Sequence, residues 1–463
     1  MDILPSLDLG NSSFVVGDRH RQVAAVIDPT RDAGRYLEHI ETAGLSLKWV
    51  LDTHLHADFV SGGAELARLG GATLGISADA ETKVSHRPLQ HGERVTVGSA
   101  RIRVIKSPGH TPEHVSFLLG TEEGPGQVLF SGGSLMAGTA GRPDLLGPGY
   151  TYQLVRSEFS TLHERYAGLP GALTVFPTHI GGSFCGVGTR PTARTTLGWE
   201  RRTNPLLRAR DYDAFLSAYL SGDPFPSYYR TDRRINQVGG RPIGREIPDL
   251  DGLTPEEVER VRLRPGTTIL DIREPAEFDK AHLPISLSVP IDGAFSAWVG
   301  WLRPAGEEFV IVGDSPTDRR AAQIELLRIG YDNLKGHLDG GVAAYARAGY
   351  PIATTRHTTM ITVRQAIERG KALTLVDARN PSEVARCGVP GSVNLPLSTL
   401  PVEAMMRLDR TLPVYVHCQS GWRAAIAASV LEQLGFPRVV RVVDGPDGWK
   451  RSRAPARRRR NRG

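Results

Sequence analysis

Asp52-Thr53-His54-Leu55-His56-Ala57-Asp58 follows an apolar run ending at Leu51, and a Gly62-Gly63 pair comes soon after. Two imidazoles at i and i+2, just past a strand-like run, place two nitrogen ligands side by side. Further along, a Pro-Gly turn introduces Pro108-Gly109-His110-Thr111 and His114. A close pair joined by a distant third histidine reads as a metal site, because zinc and iron take neutral imidazole in small, preorganised sets. The run Gln127-Val128-Leu129-Phe130 then leads into Ser131-Gly132-Gly133, which supplies no carboxylate.

Working outward, residues 3–130 alternate β-rich runs such as Phe14-Val15-Val16 and Ala24-Ala25-Val26-Ile27 with helix-like stretches such as residues 32–43, an α/β pattern. From Gly239 to Pro255 the chain is polar and rich in glycine and proline, as linkers are. Beyond it the sequence repeats. Thr268-Ile269-Leu270-Asp271-Ile272-Arg273-Glu274-Pro275-Ala276-Glu277 matches Thr374-Leu375-Val376-Asp377-Ala378-Arg379-Asn380-Pro381-Ser382-Glu383, and Pro284, Ser286 and Pro290 match Pro390, Ser392 and Pro396. A repeat this long means tandem domains, since a solenoid unit is shorter.

In the second copy the strand Pro413-Val414-Tyr415-Val416 delivers Cys418-Gln419-Ser420-Gly421-Trp422-Arg423, followed by a helix-forming run. A thiol at a strand-to-helix turn sits among backbone N–H groups and a positive dipole end, which favour thiolate and anions. Arg423 is expected to add a fixed positive charge. The equivalent strand of the first copy, Phe309-Val310-Ile311-Val312, runs into Gly313-Asp314-Ser315-Pro316, and residues 250–355 contain no cysteine.

Length and composition bound the rest. A chain of 463 residues exceeds one core, and its 40% apolar and 23% charged content is that of ordinary globular protein. The net charge of +6 is concentrated in the last stretch, where Arg451, Arg453, Arg457, Arg458, Arg459, Arg460 and Arg462 crowd together. Such a run reads as a solvated tail, and no basic helix is interleaved with aromatics, so nucleic acid is not an expected partner. No apolar run is long enough for a bilayer span, and Met1-Asp2-Ile3-Leu4-Pro5 lacks the pattern of a signal peptide. The three cysteines Cys185, Cys387 and Cys418 are too few for a disulfide framework. A cytoplasmic location without membrane attachment is expected. Assembly into a homo-oligomer is compatible with the sequence.

Several ordered motifs together resemble the metallo-β-lactamase fold, and within it the persulfide dioxygenases (sulfur dioxygenases) fused to rhodanese domains. They are residues 54–62, 108–114, Gly141-Arg142-Pro143-Asp144-Leu145, Pro177-Thr178-His179, Gly182-Ser183-Phe184-Cys185-Gly186 and Thr196 to Arg202. The Cys418 loop, the Asp377-Ala378-Arg379 strand end and the Gly445 to Trp449 segment resemble rhodaneses. The resemblance implies a multidomain α/β protein. Its parts would be an αββα metallo-β-lactamase sandwich over residues 1–245, a rhodanese-like domain lacking its cysteine over 250–355, a rhodanese domain over 358–455 and a basic tail over 456–463.

It further implies Fe(2+), with Zn(2+) as the alternative, and oxidation of a low-molecular-weight thiol persulfide such as that of glutathione by O2 to sulfite. Sulfane sulfur exchange with thiosulfate through Cys418 and Arg423 would follow, in sulfide detoxification. The alternatives are a sulfurtransferase with a degenerate metal domain, or a non-catalytic sulfane-sulfur sensor or scaffold that docks partners through the cysteine-less middle domain. The candidate metal residues are His54, His56, Asp58, His110 and His179, and the family's aspartate position falls on Gly133. His56 could complete a three-histidine site, or Asp58 or Asp144 could supply the carboxylate from another direction. On the resemblance Gly133→Asp is expected to restore iron binding. Cys185 either holds the incoming persulfide or packs in a small-residue turn. Cys387-Gly388 stands where rhodaneses commonly carry a Gly-His pair, and Cys387 is read as a packing residue, with a resolving thiol as the alternative.

Overall fold

Val23–Ile27 and Ser46–Leu51 are nearly continuous apolar runs, and they pair in parallel at the middle of a sheet covered on both faces. In the computed structural model, which describes residues 1–120, 127–186, 188–220, 224–291 and 294–451, this sheet has six strands. Their order is Asp2–Ser6, Asn11–Asp18, Val23–Ile27, Ser46–Leu51, Thr73–Ser77, Arg87–Leu89. A second six-stranded sheet runs Thr195–Thr196, Thr174–Pro177, Val128–Gly132, Val115–Gly120, Ala100–Lys106, Arg94–Val97. The basic tail lies outside the described residues.

Alternation along the strands puts one side chain set between the sheets and the other beneath helices. Phe14, Phe130 and Phe176 meet in the inner layer with ring centroids 5.1–6.0 Å apart, among Val16, Ile27, Leu51 and Phe117. Each such fully buried ring contributes roughly 1.5–3 kcal/mol. On the outer face of the first sheet Tyr36, Leu37 and Ile40 of helix Gly34–Thr42 join Leu66 of helix Gly63–Gly70. Val155 of helix Pro148–Ser160 packs with Leu129 and Val175 on the outer face of the second. The result is the αββα sandwich.

This sandwich belongs to a compact unit formed by Met1–Pro248 and Ile324–Asp332, and the remainder of the chain forms a second unit. The second unit holds two five-stranded sheets of the same topology. One runs Gly252–Leu253, Leu334–Leu338, Glu308–Val312, Thr267–Asp271, Leu287–Ser288; the other runs Arg356–Thr358, Val439–Val442, Val414–His417, Thr374–Asp377, Val393–Asn394. All their pairings are parallel. The sequence repeat is therefore a structural one. In each copy the fourth strand in that order ends on an aspartate that takes a forked ion pair from the arginine two residues on, Asp271 with Arg273 and Asp377 with Arg379. Among the described residues no helix is long and apolar enough to cross a membrane.

Candidate functional site

Four strand ends converge in the first unit. Ser46–Leu51 runs out towards His54 and His56, Ala100–Lys106 towards His110, Val128–Gly132 into Gly133, and Thr174–Pro177 towards His179. One ligand atom from each of His54, His110 and His179 falls within 4.8 Å of the others, and His56, Asp58 and His179 form a second such group. None of the five is more than 1% exposed. His179 belongs to both groups, and its Nε2 lies 3.5 Å from that of His54.

The rear nitrogens are all engaged. Thr53 Oγ1 donates to Asp28 Oδ2 at 2.8 Å, so it accepts the Nδ1–H of His54 at 2.9 Å. His110 donates Nδ1–H to the Arg142 carbonyl at 2.8 Å. His179 Nδ1 faces Asn11 Oδ1 at 2.9 Å and Asp58 Oδ2 at 3.1 Å, and Asn11 in turn donates to Asp58 at 2.8 Å. An N–H at each rear position leaves the Nε2 lone pairs of the three clustered rings for a metal, as ligation requires. Burial, then the neighbouring His56, keeps the pKa of His54 well below the usual range. That of His110 is lowered to about 3 by burial and then by His179. Both shifts favour the neutral ring, the form a metal would need.

His56 is held differently. Its Nε2 lies 3.2 Å from Asp28 Oδ1, and although burial opposes the charge, Asp28 and then Asp58 raise its pKa. Among the described residues its Nδ1 and the Oδ1 of Asp58 have no hydrogen-bond partner. Burying such atoms unpaired costs about 1–3 kcal/mol each, and a cation beside them removes that cost. Imidazoles, a carboxylate and these orphaned atoms fit a divalent metal.

The sequence expectation for Gly133 does not survive the geometry unchanged. A Cβ there would lie 2.3 Å from His110 Cδ2, so the ring already occupies the start of an aspartate side chain. Asp58, rather than Asp144, is the carboxylate brought to the cluster. Asp144 is tied in a fork to Arg142 at 2.9 and 2.6 Å and is absent from both groups. His114 also stands apart from them: its Nε2 accepts the Gly133 N–H at 3.0 Å and its Nδ1 meets Ser107 Oγ at 2.9 Å.

Cys185 is fully buried, with its thiol in hydrogen-bonding reach of Ser183, Tyr229 and Asp58. Burial, followed by the Asp58 charge, pushes its pKa well up, so it is a neutral thiol beside the cluster. Reading the sequence missed Asp28, Asn11 and Glu158. Asp28 ends a β run, as Asp52 does, and that shared strand-end position was the available signal. Glu158 is buried against Gly109, and burial raises its pKa well above the usual range despite the opposing His110 N–H. Nothing local marks it.

In the second unit Cys418 is 1% exposed and its Sγ accepts the Gly421 N–H at 3.1 Å, at the start of helix Trp422–Gln433. Arg423 does not offer a free charge, because Glu383 takes both its terminal nitrogens at 2.6 and 2.8 Å. Arg379 links the loop to its neighbour, donating to Gln419 Oε1 at 3.3 Å and to the Cys387 carbonyl at 2.7 Å. The Cys387 thiol, half-buried, is hydrogen-bonded to Lys450, the largest cause of that amine's raised pKa.

Residues 254–348 and 359–452 each match the family of rhodanese-like domains. A hydroxyacylglutathione hydrolase of Rhodospirillum rubrum is 31% identical over 243 residues, 48% of this chain and 92% of that one. The human mitochondrial persulfide dioxygenase ETHE1 is 26% identical over 196 residues, 42% of this chain and 70% of that one. The chain spans 58% of the length of a beta-lactamase hydrolase-like protein of Xylella fastidiosa, at 28% identity over 261 residues. A solved metallo-β-lactamase of Staphylococcus aureus superposes with a TM-score of 0.65 at 26% identity, covering 73% of this chain and 98% of that one.

Proposed function

The chain belongs to the metallo-β-lactamase-fold family and carries two rhodanese-like domains, and from that premise we propose that it oxidises a low-molecular-weight persulfide and exchanges sulfane sulfur with thiosulfate. The likeness to a persulfide dioxygenase and the presence of rhodanese-like domains support a role in sulfur metabolism. The observation that carries the reading is the Gly421 N–H donated to Cys418 Sγ at a helix start. Such a donor and the helix dipole stabilise a thiolate or a terminal persulfide.

The overall oxidation balances as RSSH + O2 + H2O → RSH + sulfite + 2 H+, the sulfane sulfur giving four electrons to O2. His54, His110 and His179 would hold the metal through Nε2, with Asp58 and His56 Nδ1 at the second group. A bound ferrous ion supplies the electron chemistry with O2 that no side chain here provides. The protein's own part is to keep imidazoles neutral, to aim them through Thr53, Arg142 and Asn11, and to present the neutral Cys185 thiol beside Asp58 as a hydrogen-bond donor to the substrate. At Cys418 the persulfide's outer sulfur passes to sulfite, the Cys418 S–S bond breaking as the thiosulfate S–S bond forms.

Oxygen uptake with glutathione persulfide, by protein purified anaerobically and analysed for metal, tests the first half. Absent uptake in iron-loaded protein would leave a sulfurtransferase with a degenerate metal domain. The position of the His110 ring against Gly133 favours that second reading. Thiocyanate formation from thiosulfate and cyanide tests the second half.

A further inference from the structure

The first repeated module has no cysteine, yet it reaches the thiol loop of the second. Asp279, at the end of helix Pro275–Lys280, is 4% exposed. It receives Arg441 of strand Val439–Val442 in a fork, Nε at 3.2 and 3.0 Å from its two oxygens and Nη2 at 2.6 Å. His357 Nδ1 adds a contact at 3.2 Å. The fork occupies two nitrogens of the guanidinium and leaves Nη1. A Cβ built on Gly421 would lie 3.3 Å from that Nη1 and 2.7 Å from the Val443 carbonyl, so Arg441 forms part of the floor under Gly421. Gly421, held at φ +90°, is the residue whose N–H meets Cys418 Sγ.

We infer that Asp279, contributed by the cysteine-less module, is a positioning residue for Cys418, acting through Arg441 and Gly421. This rests on Cys418 being the sulfur carrier. An arginine 6% exposed keeps its place only while its charge is paired. Without Asp279 the guanidinium leaves the floor, Gly421 loses its φ and its N–H no longer points at sulfur. The thiolate is then less stabilised. The first module is thereby a structural part of the sulfur site.

The test is site-resolved alkylation of Cys418 by iodoacetamide across a pH series, read by mass spectrometry on the full chain. Asp279→Asn should move the profile to higher pH by about one unit, leaving about tenfold less reactive thiolate near neutrality. Asp279→Glu, which can remake the fork, should restore most of it. Arg441→Lys keeps the charge but has no third nitrogen under Gly421, and should reproduce the shift; it also serves should Asp279→Asn not fold. The double variant should be no worse than either single one. An unchanged profile, or one moved to lower pH as simple removal of a negative charge would give, overturns the inference. A merely structural role would lower the melting temperature and leave the profile of the folded protein in place. Sulfur transfer surviving in Cys418→Ser would instead overturn the carrier assignment, with the alkylation result standing by itself.

Discussion

The His110 ring stands where a side chain on Gly133 would begin, with Cδ2 2.3 Å and Cγ 2.8 Å from a Cβ built there. Aspartate at 133 must therefore push a ligand ring aside before its carboxylate can reach the cluster. Gly133→Asp should lower metal stoichiometry and should not raise oxygen uptake. Elemental analysis after iron loading checks this, and a rise in iron would show that the ring yields to the added side chain.

His54→Ala, His110→Ala and His179→Ala should each remove most bound metal, since each deletes one of three imidazoles whose ligand atoms lie within 4.8 Å of one another. His114→Ala should retain metal better than these, because both nitrogens of His114 are spent on Gly133 and Ser107. Metal analysis of the four variants gives the ranking.

Asp28 accepts from Thr53 N, Thr53 Oγ1 and Thr178 Oγ1 and lies beside His56 Nε2. Asp28→Asn should weaken metal binding about 10- to 100-fold, as loss of a carboxylate behind a ligating histidine does. Competition with a chelator measures it.

Cys418→Ser should abolish thiocyanate formation while leaving any oxygen uptake in place, because the thiol loop and the histidine cluster belong to different units. Cys387→Ser should lower thiocyanate formation less. Paired assays on the two variants decide the assignment.

Asp18 caps a turn by accepting from Ser99 and from the backbone of His20 and Arg21, and its pKa falls from the ordinary 3.8 to about 2, the Ser99 N–H being the largest cause. A depressed carboxylate contributes stability that is fully present above 3.8 and is lost as pH falls through about 2. Asp18→Asn should therefore destabilise at neutral pH, and its gap from the wild type should close between these values. Denaturant titrations along a pH series follow it.

Much of this protein can be read along the chain because its signals are local. Apolar strand runs, the His-x-His-x-Asp turn and the matching Thr268 and Thr374 segments each depend on neighbours in sequence, and they appear in the fold as strands, a strand-end cluster of histidines and a repeated sheet. The Cys418 loop is legible for the same reason: strand, thiol, glycine and helix follow one another directly.

Tertiary structure alone decided which groups face which. His110 and His114 belong to one short segment after the same turn, yet side-chain direction sends His114 to buttress Gly133 and His110 to the cluster. Asp58 and Asp144 are equal candidates by composition, but only Asp58 is brought against His179, since Arg142 claims the other. Arg423 is drawn to Glu383 and Arg441 to Asp279, partners 40 and 162 positions away. A buried charge takes whatever counter-charge the packing supplies, and packing joins residues whose separation along the chain carries no signal of their meeting.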